Sequence, residues 1–369
     1  MLKGVNIIFL TILLFSCQKD PKIIIGCTDI NATNWNYEAN FDDGSCIYDS
    51  INNFQTTAYV INTPFGFPDM QIPIDNPMTQ EGVELGEKLF NDPILSKDNS
   101  LSCTGCHIQI NSFANTNQYN FGIDNILGFR NASAIINVGW NSSFNWDGSV
   151  STLEDQAFEP VTNEIEMHDT WENVESKLNS DANYYLLFKQ AFNIDYIDSI
   201  HIVKAIAQYE RSLISVDSKY DKWRNGNEQL TFSELNGYAI FNTEKGDCFH
   251  CHGTEMFMDN LFHNNGLDAG NFSDLGLGNI TNNSNDNAKF KTPTLRNVEF
   301  TGPYMHDGRF SSLEEVVDHY NSGGNYSTTI DPLMKKVGIG LQLTNNAVSY
   351  THLRAHETPE HLVCRLLLE

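Results

Sequence analysis

The sequence is poor in positive charge. Its 369 residues include 22 lysines and arginines against 47 aspartates and glutamates, which gives a formal net charge of −25 at pH 7. A chain this acidic is repelled by nucleic-acid phosphates and by anionic membrane surfaces. We therefore expect no nucleic-acid partner, and contact with a membrane only through an anchor.

The amino terminus lacks an apolar run long enough to cross a bilayer. The run at 5–15 follows a single lysine, and its length is typical of a secretory signal. It ends in LFSC, which resembles a bacterial lipobox, where Cys17 becomes the lipid-modified first residue. We expect residues 1–17 to be a lipoprotein signal peptide and the protein to lie on the periplasmic side of the bacterial envelope, anchored at Cys17. A plain signal peptide is the alternative.

The sequence also lacks alternating runs of apolar and polar residues long enough to indicate a sheet. Asp169, Thr231 and Ser311 are each followed three residues later by glutamate, the spacing of a capping box, and then by apolar residues at helical intervals. A further helix is expected to begin at Ser199, with Ile206 on its apolar face. The sequence therefore predicts an all-α fold with long loops.

Composition divides the chain into segments. Residues 51–78 are rich in Asn, Thr and Pro without a helical period, which is typical of a linker or arm. The part that follows has the length of two ordinary domains, which we place at 79–225 and 226–346. The end of the chain, 347–369, is rich in histidine and differs from the acidic, Asn-rich sequence before it. We predict that this tail is not native, and a genuine amphipathic end is the alternative.

A Cys-x-x-Cys-His pattern occurs twice, about 145 residues apart. A c-type haem needs two thiols that add across its vinyl groups and an imidazole beneath its iron, and this pattern supplies both. A structural zinc site made from the four cysteines would explain neither the histidines nor the separation. The sequence predicts two covalently bound haems, held by Cys103, Cys106, His107, Cys248, Cys251 and His252.

Five stretches around these motifs share their order with a known family. They are LGEKLFNDPILSKDNSLSCTGCH, FRNASAIIN, FNWDGSVSTLEDQAFEPVTNEIEMH, DCFHCHGTEMFMDNLFHNNGLD and KTPTLRNVEFTGPYMHDGRFSSLEEVVDHYNSGG. Together they resemble the bacterial di-haem cytochrome c peroxidase and MauG family over about 80–345. The resemblance implies two tandem cytochrome c-like haem domains, the first with the peroxidatic haem and the second with an electron-transferring haem.

The resemblance also implies an activity. We expect an exported oxidoreductase of the cytochrome-c peroxidase type, which reduces hydrogen peroxide at the first haem. Its electrons would come through the second haem from a small donor cytochrome or another protein donor. The alternatives are MauG-like oxidation of amino-acid side chains in a partner protein, and a di-haem cytochrome that only transfers electrons.

Individual residues match family positions. Glu166 in EIEMH matches the distal acid/base, and Gln156 in EDQ matches its partner in the distal pocket. Trp146 in FNWDG matches the tryptophan placed between the two haems. Ordinary roles, namely a solvated acid and a core aromatic, are the alternatives for Glu166 and Trp146. Asn131, Thr301 and Pro303 match the family's calcium site. The alternative role for these residues is hydrogen bonding within their loops.

One loop departs from the family pattern. Many members close the peroxidatic iron with a histidine about sixteen residues after the first motif, but no histidine lies between His107 and His168. We therefore expect the first haem to be open to peroxide without prior reduction, as in the MauG branch.

The second haem has a candidate for its other axial ligand. A predicted helix at 311–321 turns Tyr320 inward. Its position matches the one where family members carry an axial methionine or, in the MauG branch, a tyrosine. We predict that Tyr320 ligates the iron, with Met305, Met334 or simple core packing as alternatives.

The segment at 18–50 contains GCTDINATNWNYEANFDDGSC. It resembles a short disulfide-closed module found near the termini of exported bacterial proteins. The resemblance implies a bond between Cys27 and Cys46, which an oxidising compartment permits. Two free thiols in a linker are the alternative.

Overall fold

The computed structural model describes residues 23–30, 32–47, 54–334 and 337–343. The chain divides into two compact units between Gln55 and Thr56. The predicted signal peptide and the predicted non-native tail lie outside the described residues. Within the described part of the chain, no helix has the length and apolar character needed to cross a membrane.

The first unit is small and closed by a disulfide. Cys27 and Cys46 are bonded, which confirms the predicted pair. Two short parallel strands, β1 (Ile25–Gly26) and β2 (Phe41–Asp42), lie side by side. Asn34 ties the module further, because its amide donates to the Ser45 carbonyl at 2.7 Å.

The second unit is mostly helical, which confirms the predicted fold class. Its strands are confined to one antiparallel pair among the described residues, β3 (Phe262–His263) and β4 (Phe290–Lys291). Short 3-10 turns connect the longer elements at Pro93–Leu95, Cys103–Gly105, Gln109–Asn111, Val138–Trp140, Ser284–Asp286 and Val298–Phe300. The α-helices are α1 (Gln80–Asn91), α2 (Leu153–Thr162), α3 (Trp171–Asn179), α4 (Ala182–Phe192), α5 (Ser199–Ser212), α6 (Lys219–Arg224), α7 (Phe232–Phe241), α8 (Phe249–His252), α9 (Leu277–Thr281) and α10 (Leu313–Ser322).

The main apolar core lies around α1, α4 and α5. A glycine lets α1 and α5 approach closely, since a Cβ on Gly86 would lie 2.0 Å from the Ala205 carbonyl oxygen. The fully buried side chains of this core include Leu85, Leu89, Phe90, Leu178, Phe188 and Ile202.

The helix caps agree with the sequence in part. The capping box at Thr231 is confirmed. The box predicted at Ser311 is wrong by one residue, because α10 is capped by Ser312 with Glu315, whose carboxylate also accepts from the Ser311 backbone. The cap predicted at Asp169 is also wrong, since Thr170 caps α3 and the Asp169 carboxylate instead pairs with a lysine. The proposed division of this unit at 225/226 stays a prediction.

Candidate di-haem site

The first motif folds its histidine back over its own turn. The His107 backbone N–H donates to the Cys103 carbonyl at 2.9 Å. The imidazole Nδ1 lies 3.0 Å from the Phe113 carbonyl oxygen, which can only accept, so Nδ1 carries the proton. Burial lowers the pKa of His107. The ring is therefore neutral, and with its proton on Nδ1 it is in the tautomer that binds a metal ion through Nε2.

The second motif reaches the same arrangement from a helix. Its histidine ends α8, and the His252 backbone N–H donates to the Cys248 carbonyl at 2.9 Å. Nδ1 of His252 donates to the Phe257 carbonyl at 2.7 Å, and burial lowers the pKa of His252. Both motifs thus present a neutral imidazole whose orientation is fixed by a carbonyl five or six residues further along the chain.

The four motif thiols suit haem better than zinc. All are free thiols, and burial raises the pKa of Cys106 to about 11 and that of Cys248 to about 12. Zinc binds thiolates, whereas thioether formation adds a protonated thiol across a vinyl group. Among the described residues, the four thiols do not gather into one metal-binding group. The donor set therefore fits two separate c-type haems.

One cavity of about 410 Å³ connects the two motifs, with both His107 and His252 in its wall. Three residues predicted for the site, Cys103, Cys106 and Glu166, lie outside this wall. Predicted residues that do line the cavity are Asn131, Trp146, Gln156, Cys248, Cys251, Thr301, Pro303 and Tyr320.

Glu166 follows α2, and its charge acts on the thiols of the first motif. Its carboxylate accepts a hydrogen bond from Asn163 at 2.8 Å, and burial raises its pKa. Its negative charge raises the pKa of Cys106, so the two groups are close in space. The Glu166 carbonyl also accepts the Ile123 backbone N–H at 2.9 Å, which ties the loop without a histidine to this segment.

Trp146 is held on both sides by backbone bonds. Its indole Nε1 donates to the Asn131 carbonyl at 2.8 Å, and its own carbonyl accepts the Lys291 N–H at 2.8 Å. The next residue, Asp147, forms an ion pair with Arg130 at 2.6 Å. The ring is therefore fixed in the wall of the cavity shared by both motifs.

The three residues predicted to bind calcium line this same cavity. The Asn131 amide nitrogen donates to the carbonyls of Asn117 and Gln118, at 3.1 and 3.3 Å. The Thr301 hydroxyl donates to the Val298 carbonyl at 3.3 Å. In these bonds the Asn131 amide nitrogen and the Thr301 hydroxyl act as donors and hold the two side chains in place. Calcium binding itself stays a prediction.

Tyr320 and Met305, two candidate ligands of the second haem, contact the same side chain. The Asn265 amide lies 3.3 Å from both the Tyr320 hydroxyl and the Met305 sulfur. Burial raises the pKa of Tyr320 to about 12, and charge on Cys251 adds to the rise, so the phenol lies near the second motif. Met334 lines the cavity as well. The geometry therefore places Tyr320 and Met305 side by side near the second motif, with Met334 in the wall of the same cavity.

The comparisons with known proteins agree with this site. Residues 80–229 match the family model described as di-haem cytochrome c peroxidase. The chain is 37% identical to the methylamine utilization protein MauG of Methylorubrum extorquens, over 71% of this chain and 75% of that protein. It is 30% identical to cytochrome-c peroxidase IdrP1 of a Pseudomonas species, over 79% and 85%. The chain belongs to the di-haem cytochrome c peroxidase family.

Solved structures share the fold of this family member. A MauG-like protein associated with microbial copper homeostasis has a TM-score of 0.75 and 32% identity, over 80% of this chain and 93% of that one. The di-haem peroxidase BthA of Burkholderia thailandensis, at 20% identity, has a TM-score of 0.66. The protein is thus an oxidoreductase of the cytochrome-c peroxidase type, and its cofactors are two haem c groups.

The sequence analysis missed two charged residues of this peroxidase-family site. Glu210 lies buried in α5, one carboxylate oxygen has no hydrogen-bond partner among the described residues, and burial raises its pKa to about 8. Its position four residues after Ile206, on the predicted apolar face, could have revealed it. Lys291 lines the cavity, and burial lowers its pKa to about 8. No local sequence signal distinguishes Lys291.

Proposed function

We propose that the protein reduces hydrogen peroxide at the first haem site. The observation that carries this proposal is Glu166, a partly buried carboxyl held by Asn163 and close to Cys106. Reduction of one peroxide consumes two electrons and two protons and yields two waters. A haem, when bound, supplies an iron that binds peroxide and exchanges electrons. Glu166 would take a proton from one peroxide oxygen and deliver it to the other, which leaves as water.

The electrons are proposed to enter at the second haem and to pass Trp146. This route is supported by the cavity whose wall contains His107, Trp146 and His252. A small donor cytochrome or another protein donor supplies the electrons, and the net charge of −25 favours a basic donor surface.

The test uses the haem-loaded protein in its resting ferric state. Mixed with peroxide and a reduced basic cytochrome c, it should oxidise the cytochrome in a 2:1 ratio to peroxide, without prior reduction, because 108–167 contains no histidine to close the first iron. Turnover that needs prereduction contradicts the open first site. No turnover with intact haem spectra contradicts peroxidase activity.

A second candidate function is the oxidation of side chains in a partner protein, as proposed for the MauG branch. The buried Tyr320 hydroxyl near Cys251 favours it, since a phenolate ligand gives a haem a low potential. The two candidate functions differ in how long the protein stays oxidised after it reacts with peroxide in the absence of an electron donor. Slow decay of the oxidised protein, together with slow reaction with reduced cytochrome c, favours this candidate, and rapid reaction with the cytochrome favours the first.

Calcium is proposed at Asn131, Thr301 and Pro303, because amide and carbonyl oxygens are hard ligands that suit this ion. Extended dialysis against a chelator should slow electron transfer between the haems, and added calcium should restore it. Unchanged rates in protein shown to contain no calcium would contradict the proposal.

Export and lipid anchoring at Cys17 are also proposed. The support is the signal-like sequence at 1–17 and the Cys27–Cys46 disulfide, which forms in oxidising compartments. In a bacterial host, the protein should fractionate with membranes and the Cys17→Ala variant should not. Equal fractionation of both would contradict anchoring at this residue.

A further inference from the structure

Lys291 lies in the cavity wall and is bonded through its backbone to the tryptophan there. It belongs to β4, where its position pairs with Phe262 of β3, and its backbone N–H donates to the Trp146 carbonyl at 2.8 Å. The residue lines the cavity that connects the two haem motifs. The backbone around the lysine is therefore fixed, and the residue lines the space between the two haem motifs.

Other cations in this part of the chain have carboxylate partners. Among the described residues, by contrast, the ammonium group of Lys291 forms no ion pair and no hydrogen bond, and only burial shifts its pKa, which falls to about 8. A buried cation is costly unless an anion compensates it. The paired cations are Arg130 with Asp147 and Asp274, Arg296 with Asp221, Arg309 with Asp268, and Lys289 with Asp286.

We propose that Lys291 binds a propionate carboxylate of a haem held in this cavity and that its charge raises the reduction potential of that haem. Each haem c carries two propionates, so the cofactors of this family bring carboxylates to a cavity whose wall contains a cation without one. The ion pair also joins the haem edge to the strand that contacts Trp146. The inference rests on haem binding and is independent of peroxide chemistry.

The test is the reduction potential of each haem, measured by spectroelectrochemical titration of the fully loaded protein without peroxide. Lys291→Met keeps the length of the side chain but removes its charge. Because a nearby positive charge favours the reduced, less positive haem, we expect the potential of one haem to shift downward. Lys291→Arg keeps the charge and should stay close to the parent protein.

Lys289→Met is the matched control, since it removes the same charge two residues away, where the ammonium pairs with Asp286 at 2.9 Å. A larger downward shift in Lys291→Met than in this control supports the proposal, and the spectrum of the shifted haem shows which cofactor carries the propionate. Equal shifts in the two variants overturn it. If the haem potential falls more in Lys291→Met than in Lys289→Met but the protein shows no peroxidase turnover, the proposed function is contradicted and the role of Lys291 is not.

A labelling experiment covers the case in which Lys291→Met does not load both haems. Acetylation of the unmodified holoprotein, followed by mass spectrometry, should leave Lys291 protected. One of the single-haem variants, lacking either Cys103 and Cys106 or Cys248 and Cys251, should expose it to the reagent. Equal labelling of Lys291 in the holoprotein and in both single-haem variants overturns the proposal.

Discussion

At the scale of single residues, carbonyl groups decide what the two histidines can do. Each Nδ1 donates to a main-chain oxygen, Phe113 for His107 and Phe257 for His252. The two bonds select the same tautomer at two sites with different local structure, a 3-10 turn and the end of a helix. Each ring is thereby oriented before any ligand binds, which lowers the entropy lost on ligation.

Glu166→Gln tests the proton transfer. The amide keeps the size of the carboxyl and its contact with Asn163 but cannot accept a proton, so we expect the peroxide reaction to slow by about 10²–10⁴-fold. Glu164→Gln, at an exposed neighbouring acid, is the control and should react like the parent protein. Stopped-flow absorbance gives both rates.

The pH profile adds a second readout for Glu166. Burial raises its pKa above the usual value, and only the ionised carboxylate accepts a proton. The rate of the peroxide reaction in the parent protein should therefore be maximal above the raised pKa and should fall as pH decreases through it. Glu166→Gln should lack this decrease. Parallel profiles for the two proteins would assign the base to another group.

Tyr320→Phe tests axial ligation at the second haem. Removal of the hydroxyl should abolish the low-spin ferric signal of one haem in the optical and paramagnetic resonance spectra. Met305→Leu, at the sulfur that shares the Asn265 amide with Tyr320, should retain that signal. The opposite result would make the methionine the ligand.

Sites whose residues are adjacent in the sequence could be predicted from it. Whether a buried charge has a partner of opposite charge could not. The haem motifs could be found because five successive residues contain every donor. The roles of Glu166 and Trp146 were predicted from the family resemblance. Lys291 escaped notice because its importance depends on carboxylates that are missing around it, and only the tertiary structure shows which cations have partners.

At the scale of secondary structure, the contact between α1 and α5 depends on one missing methyl group. Gly86→Ala would gain about 1 kcal/mol of helix preference. It would also drive a Cβ into the Ala205 carbonyl, and overpacking of this kind costs about 1–3 kcal/mol. We expect a lower midpoint of thermal unfolding.

Gly128→Ala is the control for this effect, because its Cβ would meet only an ordinary contact at 3.4 Å with the Asn120 carbonyl. It should unfold at or slightly above the parent temperature. A stabilised Gly86→Ala protein would show that the two helices can separate at no cost.

Helix boundaries show where sequence patterns reach their limit. The two adjacent serines before α10 both contact Glu315, so the spacing alone could not distinguish Ser311 from Ser312 as the cap. Before α3, Asp169 and Thr170 compete in the same way, and the nearby Lys177 draws Asp169 out of the cap. Such choices depend on which side chains of the following helix turn back to the residues before it.

At the scale of the whole molecule, the cysteines should fall into two classes. Expressed with a c-type maturation system, the protein should retain two haems on a denaturing gel. Replacement of Cys248 and Cys251 by alanine should leave one haem, and replacement of Cys27 and Cys46, which form the disulfide, should leave both. A colourless protein that contains zinc would refute the assignment.

The buried thiols also have a consequence for the order of events in biogenesis. Burial raises the pKa of the Cys103 and Cys248 thiols, and the cavity that Cys248 and His107 line is enclosed by residues far apart in the sequence. A cofactor joined to these sulfurs by covalent bonds must reach them while the surrounding walls are still apart. Attachment therefore precedes closure of the chain, and haem added to protein that has already folded should not be incorporated.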